Sequence, residues 1–146
     1  MVNSNWGITP RQSIEAECTR RGRAEVLAGC IDLLAGRHGD DELILALGGP
    51  GAPHVLAGGA GGRHGYWPRA LAARGLLYVW DDAATPVIIH AMRDDAWRVR
   101  EMAAKVIAKH RVGEALDAVS ALRDDDVARV RAAAERAVVR ITAVQA

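Results

Sequence analysis

Apolar side chains recur every three or four positions between residues 97 and 110, which is the most regular hydrophobic pattern of the chain. Val99, Ala103 and Val106 fall on one face of a helix, because a helix advances by about 100° per residue. The same pattern returns about 31 residues later, from Ala128, and stands about 31 residues earlier, from Trp67. A fixed period of this length is typical of stacked helical repeats.

The remaining pattern divides the chain into further helices. Thr9 and Pro10 are typical of a helix start, and Gly22 separates this first helix from a second one that begins at Arg23. A helix is predicted over residues 67–80, and each later unit has a short helix, an acidic turn and a longer helix. We therefore predict an all-α fold. The helical phase predicts a core that includes Val99, Ala103, Val106, Val130, Ala134 and Val138.

The chain is predicted to form a single repeat domain over residues 1–146. N-terminal helices occupy residues 8–47, a Gly-rich irregular connection occupies 48–65, and regular repeats occupy 66–142. The Gly-rich connection contains neither GxxxxGK[ST] nor GxGxxG, and no strand pattern precedes it. This observation favours an irregular loop over a phosphate-binding loop.

Composition limits the classes of partner. The formal net charge is +1, so no overall charge favours nucleic acid or a membrane surface. The N-terminus lacks the pattern of a signal peptide, and no apolar run is long enough to span a bilayer. We expect a cytoplasmic protein without a membrane partner, in which Cys18 and Cys30 are reduced thiols.

The sequence shows no local signature of catalysis. None of the five histidines lies in an HExxH motif, and no CxxC pair is present. A catalytic cysteine or serine would also need a local signature that is missing here. We therefore expect no catalytic residue, no metal site and no cofactor, and a protein that is not an enzyme.

Basic side chains share one helix face, away from the predicted core. Arg98, Lys105 and Lys109 lie within about 40° of one another around the helix. The positions equivalent to these three in the other repeats are basic or aromatic, and they complete a candidate binding stripe. Its members are Trp67, Arg74, Tyr78, Arg98, Lys105, Lys109, Arg129, Arg136 and Arg140. The stripe is either an ordinary solvated face or a surface that attracts an anionic partner.

Two segments, RDDAWRVREMAAKVIA from Arg93 and RDDDVARVRAAAERAVVRI from Arg123, resemble the HEAT-like repeat. The resemblance is to the short bacterial type that is also found in phycobilin lyases. It implies a right-handed α-solenoid of stacked helical hairpins, with the second helices lining the inner face. It also implies a structural ladder in which turn aspartates and Val-Arg arginines bridge neighbouring repeats. The ladder residues are Asp94, Asp95, Arg100, Asp125 and Arg131.

This resemblance leads to two alternative functions. The first is a non-catalytic scaffold that recognises a protein or peptide, expected to be acidic, on its inner helix face. The alternative is a nucleic-acid-binding protein related to the HEAT-like alkylpurine DNA glycosylases. Such enzymes need an acidic residue beside aromatic side chains, and Glu101 is the one acid near the stripe. The sequence leaves the oligomeric state open.

Overall fold

The computed structural model describes residues 9–37, 41–49, 53 and 65–145, with side chains up to residue 143. These residues form helices and turns and contain no strand, so the expected all-α class is confirmed. The chain divides into two compact units, Met1–Val79 and Trp80–Ala146. The single-domain organisation over residues 1–146 stays a prediction. Of the Gly-rich connection predicted over residues 48–65, positions 50–52 and 54–64 lie outside the described residues.

Four helices are described in the N-terminal unit. They are α1 (Pro10–Arg21), α2 (Arg23–Leu34), α3 (Asp41–Gly48) and α4 (Trp67–Gly75). Helix α4 packs against α2 and α3, and α1 packs against α2 and α3. The side chains at the centre of this unit are fully buried and mostly aliphatic. They include Ile14, Val26, Cys30, Leu43, Leu47 and Leu76.

The first helix begins where the sequence predicts, because its end groups are satisfied locally. The Thr9 side chain accepts a hydrogen bond from the backbone N–H of Gln12, and the Gln12 side chain accepts one from the backbone N–H of Thr9. This reciprocal pair is a capping box, which satisfies N–H groups that have no partner within the helix. Gly22 then separates α1 from α2 at a φ of 97°, a conformation that strongly favours glycine.

Helix α4 is shorter than the predicted helix over residues 67–80, which was wrong beyond Gly75. The backbone N–H of Tyr78 donates to the carbonyl of Gly75, three residues before it, so the chain tightens into turns. Gly75 also marks a close approach. A Cβ atom there would lie 2.7 Å from Leu47 Cδ2 and 2.9 Å from Cys30 Sγ. Glycine therefore allows α4 to approach α2 and α3 closely.

The C-terminal unit repeats one pattern twice. Its helices are α5 (Thr85–Ala91), α6 (Trp97–His110), α7 (Leu116–Ala121) and α8 (Ala128–Gln145). A short 3₁₀ turn precedes α5 and another precedes α7, at Asp82–Ala84 and Gly113–Ala115. From α5 to α7, and from α6 to α8, the starting residue advances by 31 positions. The structure thus shows the period that the hydrophobic pattern predicts.

The core of the C-terminal unit is built from small and β-branched side chains. Val99, Ala103 and Val106 of α6 are completely buried, as are Val130 and Ala134 of α8. These five core predictions are confirmed.

Val138 is only half-buried, so its assignment to the core was wrong. Ala137 and Ile141 are buried instead, and the neighbouring Val139 is 55% exposed. Helix α8 packs on α6 and α7 on one side. Among the described residues of this unit, no further helix covers its other side, so the buried arc of α8 is narrower than that of α6.

We predict that Gly75→Ala lowers the free energy of unfolding by about 1 to 3 kcal/mol, because the added methyl group overpacks buried side chains. Gly113→Ala is the matched control, since a Cβ atom at Gly113 would meet no atom within 4 Å. Urea denaturation of both variants measures the difference. Equal stabilities would show that the contact with Leu47 and Cys30 relaxes without cost.

We predict that Ala103→Asp lowers the free energy of unfolding by several kcal/mol, roughly 3 to 5, because it buries an unpaired charge. Ala132→Asp introduces the same side chain at an exposed position of α8 and should cost less than about 1 kcal/mol. Thermal denaturation compares the two variants. A variant at Ala103 that melts like its control would contradict the assigned packing of α6.

Candidate basic binding face

Six basic side chains of the predicted stripe lie on α6 and α8, two helices that pack directly against each other. Five of the six are exposed, and Lys105 is half-buried. We call this set the basic face. It consists of Arg98, Lys105, Lys109, Arg129, Arg136 and Arg140. The structure therefore places the C-terminal members of the predicted stripe on two neighbouring helices.

An aromatic ring lies at one end of the basic face. The guanidinium carbon of Arg98 lies 4.6 Å from the centroid of the Trp97 ring, and that of Arg129 lies 5.2 Å from it. Both distances are within the range of a cation–π interaction. The two guanidinium groups, from neighbouring helices, thus share one ring. Trp97 is not one of the predicted stripe residues.

A buried carboxylate connects this end of the face to α8. Glu101 is buried in α6, and its Oε2 atom accepts a hydrogen bond from Arg129 Nε at 2.9 Å. Lys105 Nζ lies 3.7 Å from the same oxygen. A buried charge is tolerated when it is paired, and here Arg129 and Lys105 both pair with the Glu101 carboxylate. Lys105 is therefore an ion-pair partner of Glu101 as well as a member of the face.

The other predicted stripe residues, Trp67, Arg74 and Tyr78, belong to the N-terminal unit. Arg74 is half-buried, and its Nη2 atom donates a hydrogen bond of 2.7 Å to the carbonyl of Leu47, near the end of α3. Burial lowers the pKa of Arg74 from its usual value. The guanidinium thus caps a helix end within its own unit. The centroid of the Trp67 ring lies 5.1 Å from the centroid of the Tyr66 ring.

The predicted ladder residues of the C-terminal unit also meet. Arg100 forms two hydrogen bonds with Asp125, from Nε at 2.8 Å and from Nη2 at 3.2 Å. Its Nη1 atom donates to the backbone carbonyls of Asp94 and Asp95. Arg131 donates in the same way to the backbone carbonyl of Asp125, at 2.7 Å. One guanidinium therefore joins the turn before α6 to the turn before α8.

The aspartates of the two turns also accept hydrogen bonds from the backbone just before the helices that follow. Asp94 Oδ1 accepts a hydrogen bond from the backbone N–H of Ala96, and Asp125 Oδ1 accepts one from that of Val127. Burial by itself raises the pKa of Asp125. The hydrogen bonds from Arg100 and Val127 and the charges of Arg100 and Arg131 outweigh this effect, and they hold the pKa below its usual value.

The described residues offer little other chemistry. In the N-terminal unit, a charged open cleft of about 520 Å³ is lined by Arg20, Arg21, Glu25, Asp41 and Glu42. Its two arginines are already paired with carboxylates, including that of Glu42. Within the described part of the chain, no three His, Cys, Asp or Glu side chains are grouped so as to hold a metal ion.

Thiol and imidazole groups are in ordinary structural surroundings. Cys18 and Cys30 are free cysteines, and burial raises the pKa of Cys30 to about 12, so its thiol is not activated as a nucleophile. His90 is exposed, while His110 stacks on Trp80 with ring centroids 4.7 Å apart. The other three histidines, at positions 38, 54 and 64, lie outside the described residues.

Comparison with known proteins identifies the repeat. A family model for HEAT repeats matches residues 66–146, which is more than half of the chain. The match confirms the resemblance and, with the helical structure, the α-solenoid class. A search of the curated proteins and a search of the solved structures found no match. Among the described helices, none combines the length and apolar character needed to cross a bilayer.

We predict that Asp125→Asn lowers the free energy of unfolding at neutral pH by about 1 to 3 kcal/mol, because a charge-assisted hydrogen-bond pair is lost. The pKa of Asp125 is lower in the folded state than in the unfolded state. Its contribution to stability is therefore complete above the unfolded pKa, near 4, and is lost as the pH falls through the folded value.

The measurement is urea denaturation across the acidic range. Wild type should lose more stability than Asp125→Asn as the pH falls below about 4. Asp124→Asn, at an exposed neighbouring position, is the control and should keep the pH dependence of wild type. Parallel pH profiles for wild type and Asp125→Asn would contradict the role assigned to this carboxylate.

Proposed function

Because the chain belongs to the HEAT-repeat family, whose repeats generally mediate protein interactions, we propose that it is a non-catalytic binding module. It recognises an acidic segment of a partner protein on the basic face of α6 and α8. The observation that supports this most is the set of exposed cations on two adjoining helices. The buried carboxylate of Glu101 contacts this face, where it is paired with Arg129 and Lys105.

The separation of charge within the C-terminal unit supports an anionic partner. The aspartates lie in the turns, where Asp94 and Asp125 accept hydrogen bonds from the backbone and Asp125 pairs with Arg100. The carboxylate of Asp125 thus pairs with Arg100, which is not a member of the basic face. Complementary charge of this kind mainly increases the association rate and the specificity of a complex.

The dimensions of the face suit a short peptide segment. Arg98 and Lys109 are eleven residues apart on α6, which corresponds to about 16 Å along the helix axis. An extended peptide of about five residues covers this length, at roughly 3.3 Å per residue. Two acidic side chains on such a peptide could reach both ends of the face. The near-neutral chain as a whole favours this partner over duplex DNA, which requires many phosphate contacts.

Cellular location remains part of the proposal. The free thiols of Cys18 and Cys30 fit a reducing compartment. We therefore place the interaction in the cytoplasm.

The double variant Arg136→Glu, Arg140→Glu tests the face. Both side chains are exposed on α8, so the substitutions should leave the fold intact. The probe is a labelled glutamate-rich peptide, and fluorescence polarisation measures its binding at low salt and at about 0.15 M salt. We expect at least a tenfold loss of affinity. Lys105 is left unchanged, because a glutamate there would face the buried Glu101 four residues away.

A second double variant is the matched control. Arg23→Glu, Arg93→Glu makes the same change in net charge at two exposed arginines outside the basic face. It should retain most of the affinity of wild type. Equal losses in the two double variants would show that only net charge matters, and a glutamine-rich peptide that binds as tightly would exclude charge recognition.

Duplex DNA serves as the competing ligand. If the duplex binds more tightly than the peptide, and if its affinity falls steeply with salt, the nucleic-acid alternative replaces the present proposal.

A further inference from the structure

Glu101 occupies a repeat position at which the neighbouring repeats have a different residue type. The equivalent residues one period earlier and one period later are Ala70 and Ala132. Ala70 is buried and Ala132 is exposed, so the surroundings of this position differ between the repeats. At the buried position in α6, a carboxylate must be desolvated. The side chain of Glu101 is only 8% exposed. A costly residue has thus replaced the repeat's usual small one at a single position.

Glu101 and Trp97 together orient Arg129, an arginine of the basic face. Arg129 uses Nε to bind Glu101, and its guanidinium carbon lies over the Trp97 ring. These two contacts restrict the guanidinium group in position and in tilt, yet the Arg129 side chain remains 61% exposed. An arginine that is both oriented and exposed loses less conformational freedom when it binds a carboxylate.

Arg98 completes the arrangement from the other helix. Its guanidinium group lies on the same ring, so the guanidinium carbons of Arg98 and Arg129 are less than about 10 Å apart. The side chains of Arg98 and Arg129 are both exposed, that of Arg129 to 61%. An acidic side chain of a partner can therefore reach the two guanidinium groups.

We propose that Trp97, Arg98 and Arg129 form the recognition site for an acidic side chain of the partner, and that Glu101 is its positioning residue. Glu101 acts through Arg129, which it holds over the Trp97 ring. The inference rests on the proposed function, because it specifies where the partner's carboxylate binds on the basic face. If this inference is correct, removal of Glu101 weakens the binding of an acidic peptide, whereas the loss of a negative charge alone would strengthen it.

The variant Glu101→Ala separates the two effects. It restores the residue that the repeat carries at Ala70 and Ala132, so the helix should form normally. It also removes a negative charge, which by electrostatics alone should tighten binding of the glutamate-rich peptide. If Glu101 positions Arg129, the peptide should instead bind roughly three- to tenfold more weakly, the cost of ordering one free arginine side chain.

The matched control is Glu135→Ala, which makes the same charge change on α8. Glu135 is exposed, and its side chain lies 3.9 Å from that of Arg123 rather than against the face. This variant should bind the peptide as tightly as wild type or more tightly. Glu101→Gln keeps a hydrogen-bond acceptor for Arg129 and should recover part of the lost affinity.

A double-mutant cycle tests whether Glu101 acts through Arg129. In the Arg129→Ala background, Glu101→Ala should no longer weaken peptide binding. Arginine side-chain NMR gives a readout independent of binding: the Nε–H signal of Arg129 should shift in Glu101→Ala and keep its position in Glu135→Ala. Melting temperatures of every variant separate a loss of folding from a loss of recognition.

The outcomes distinguish the two proposals. If wild type does not bind the glutamate-rich peptide, the proposed function is wrong, and the role of Glu101 is wrong with it. If wild type binds and Glu101→Ala binds equally well or more tightly, the proposed function stands. Glu101 is then only a structural ion pair between α6 and α8.

Discussion

The C-terminal unit depends on the guanidinium group of Arg100, which joins two helix starts. It binds the Asp125 carboxylate and the backbone carbonyls of Asp94 and Asp95. The turn aspartates also bind the backbone just before the helices, Asp94 at Ala96 and Asp125 at Val127. Because Asp125 binds both the backbone before α8 and Arg100, the start of α8 is placed relative to that of α6.

This constraint determines which surfaces remain for binding. Once the starts of α6 and α8 are aligned, the two helices pack together, and Ala103 and Ala134 lie in the core. Small side chains allow the helices to pack closely, which leaves little room for charge between them. The long basic side chains are therefore displaced to the solvent-exposed surface, where Arg136 and Arg140 lie.

Glu101 is the exception that gives this face its internal structure. A regular repeat with alanine at this position would give Arg129 no carboxylate to bind on α6. The buried carboxylate instead binds Arg129 from the neighbouring helix, next to Trp97. A binding surface gains specificity when some of its charged groups are already oriented, because less entropy is lost on binding. The proposed recognition site is thus a local departure from the repeat that supports it.

The sequence alone determined the helical class, the period of 31 residues and most of the C-terminal core, because these follow from local periodicity. It also identified the exposed arginines, since their angular position on a helix is set by residue number. The sequence pattern also extended α4 beyond Gly75. It gave no sign that Leu47 and Cys30 from other helices approach Gly75 closely.

Tertiary structure alone decided which neighbours each side chain meets. Val138 shares the periodicity of the core, but its burial depends on whether another helix covers that side of α8. In the same way, the pattern marked Glu101 as a nearby acid, while its pairing with Arg129 requires α6 and α8 to pack side by side. Periodicity specifies the direction of a side chain around its own helix. The partner that it finds there depends on contacts between residues far apart in the chain.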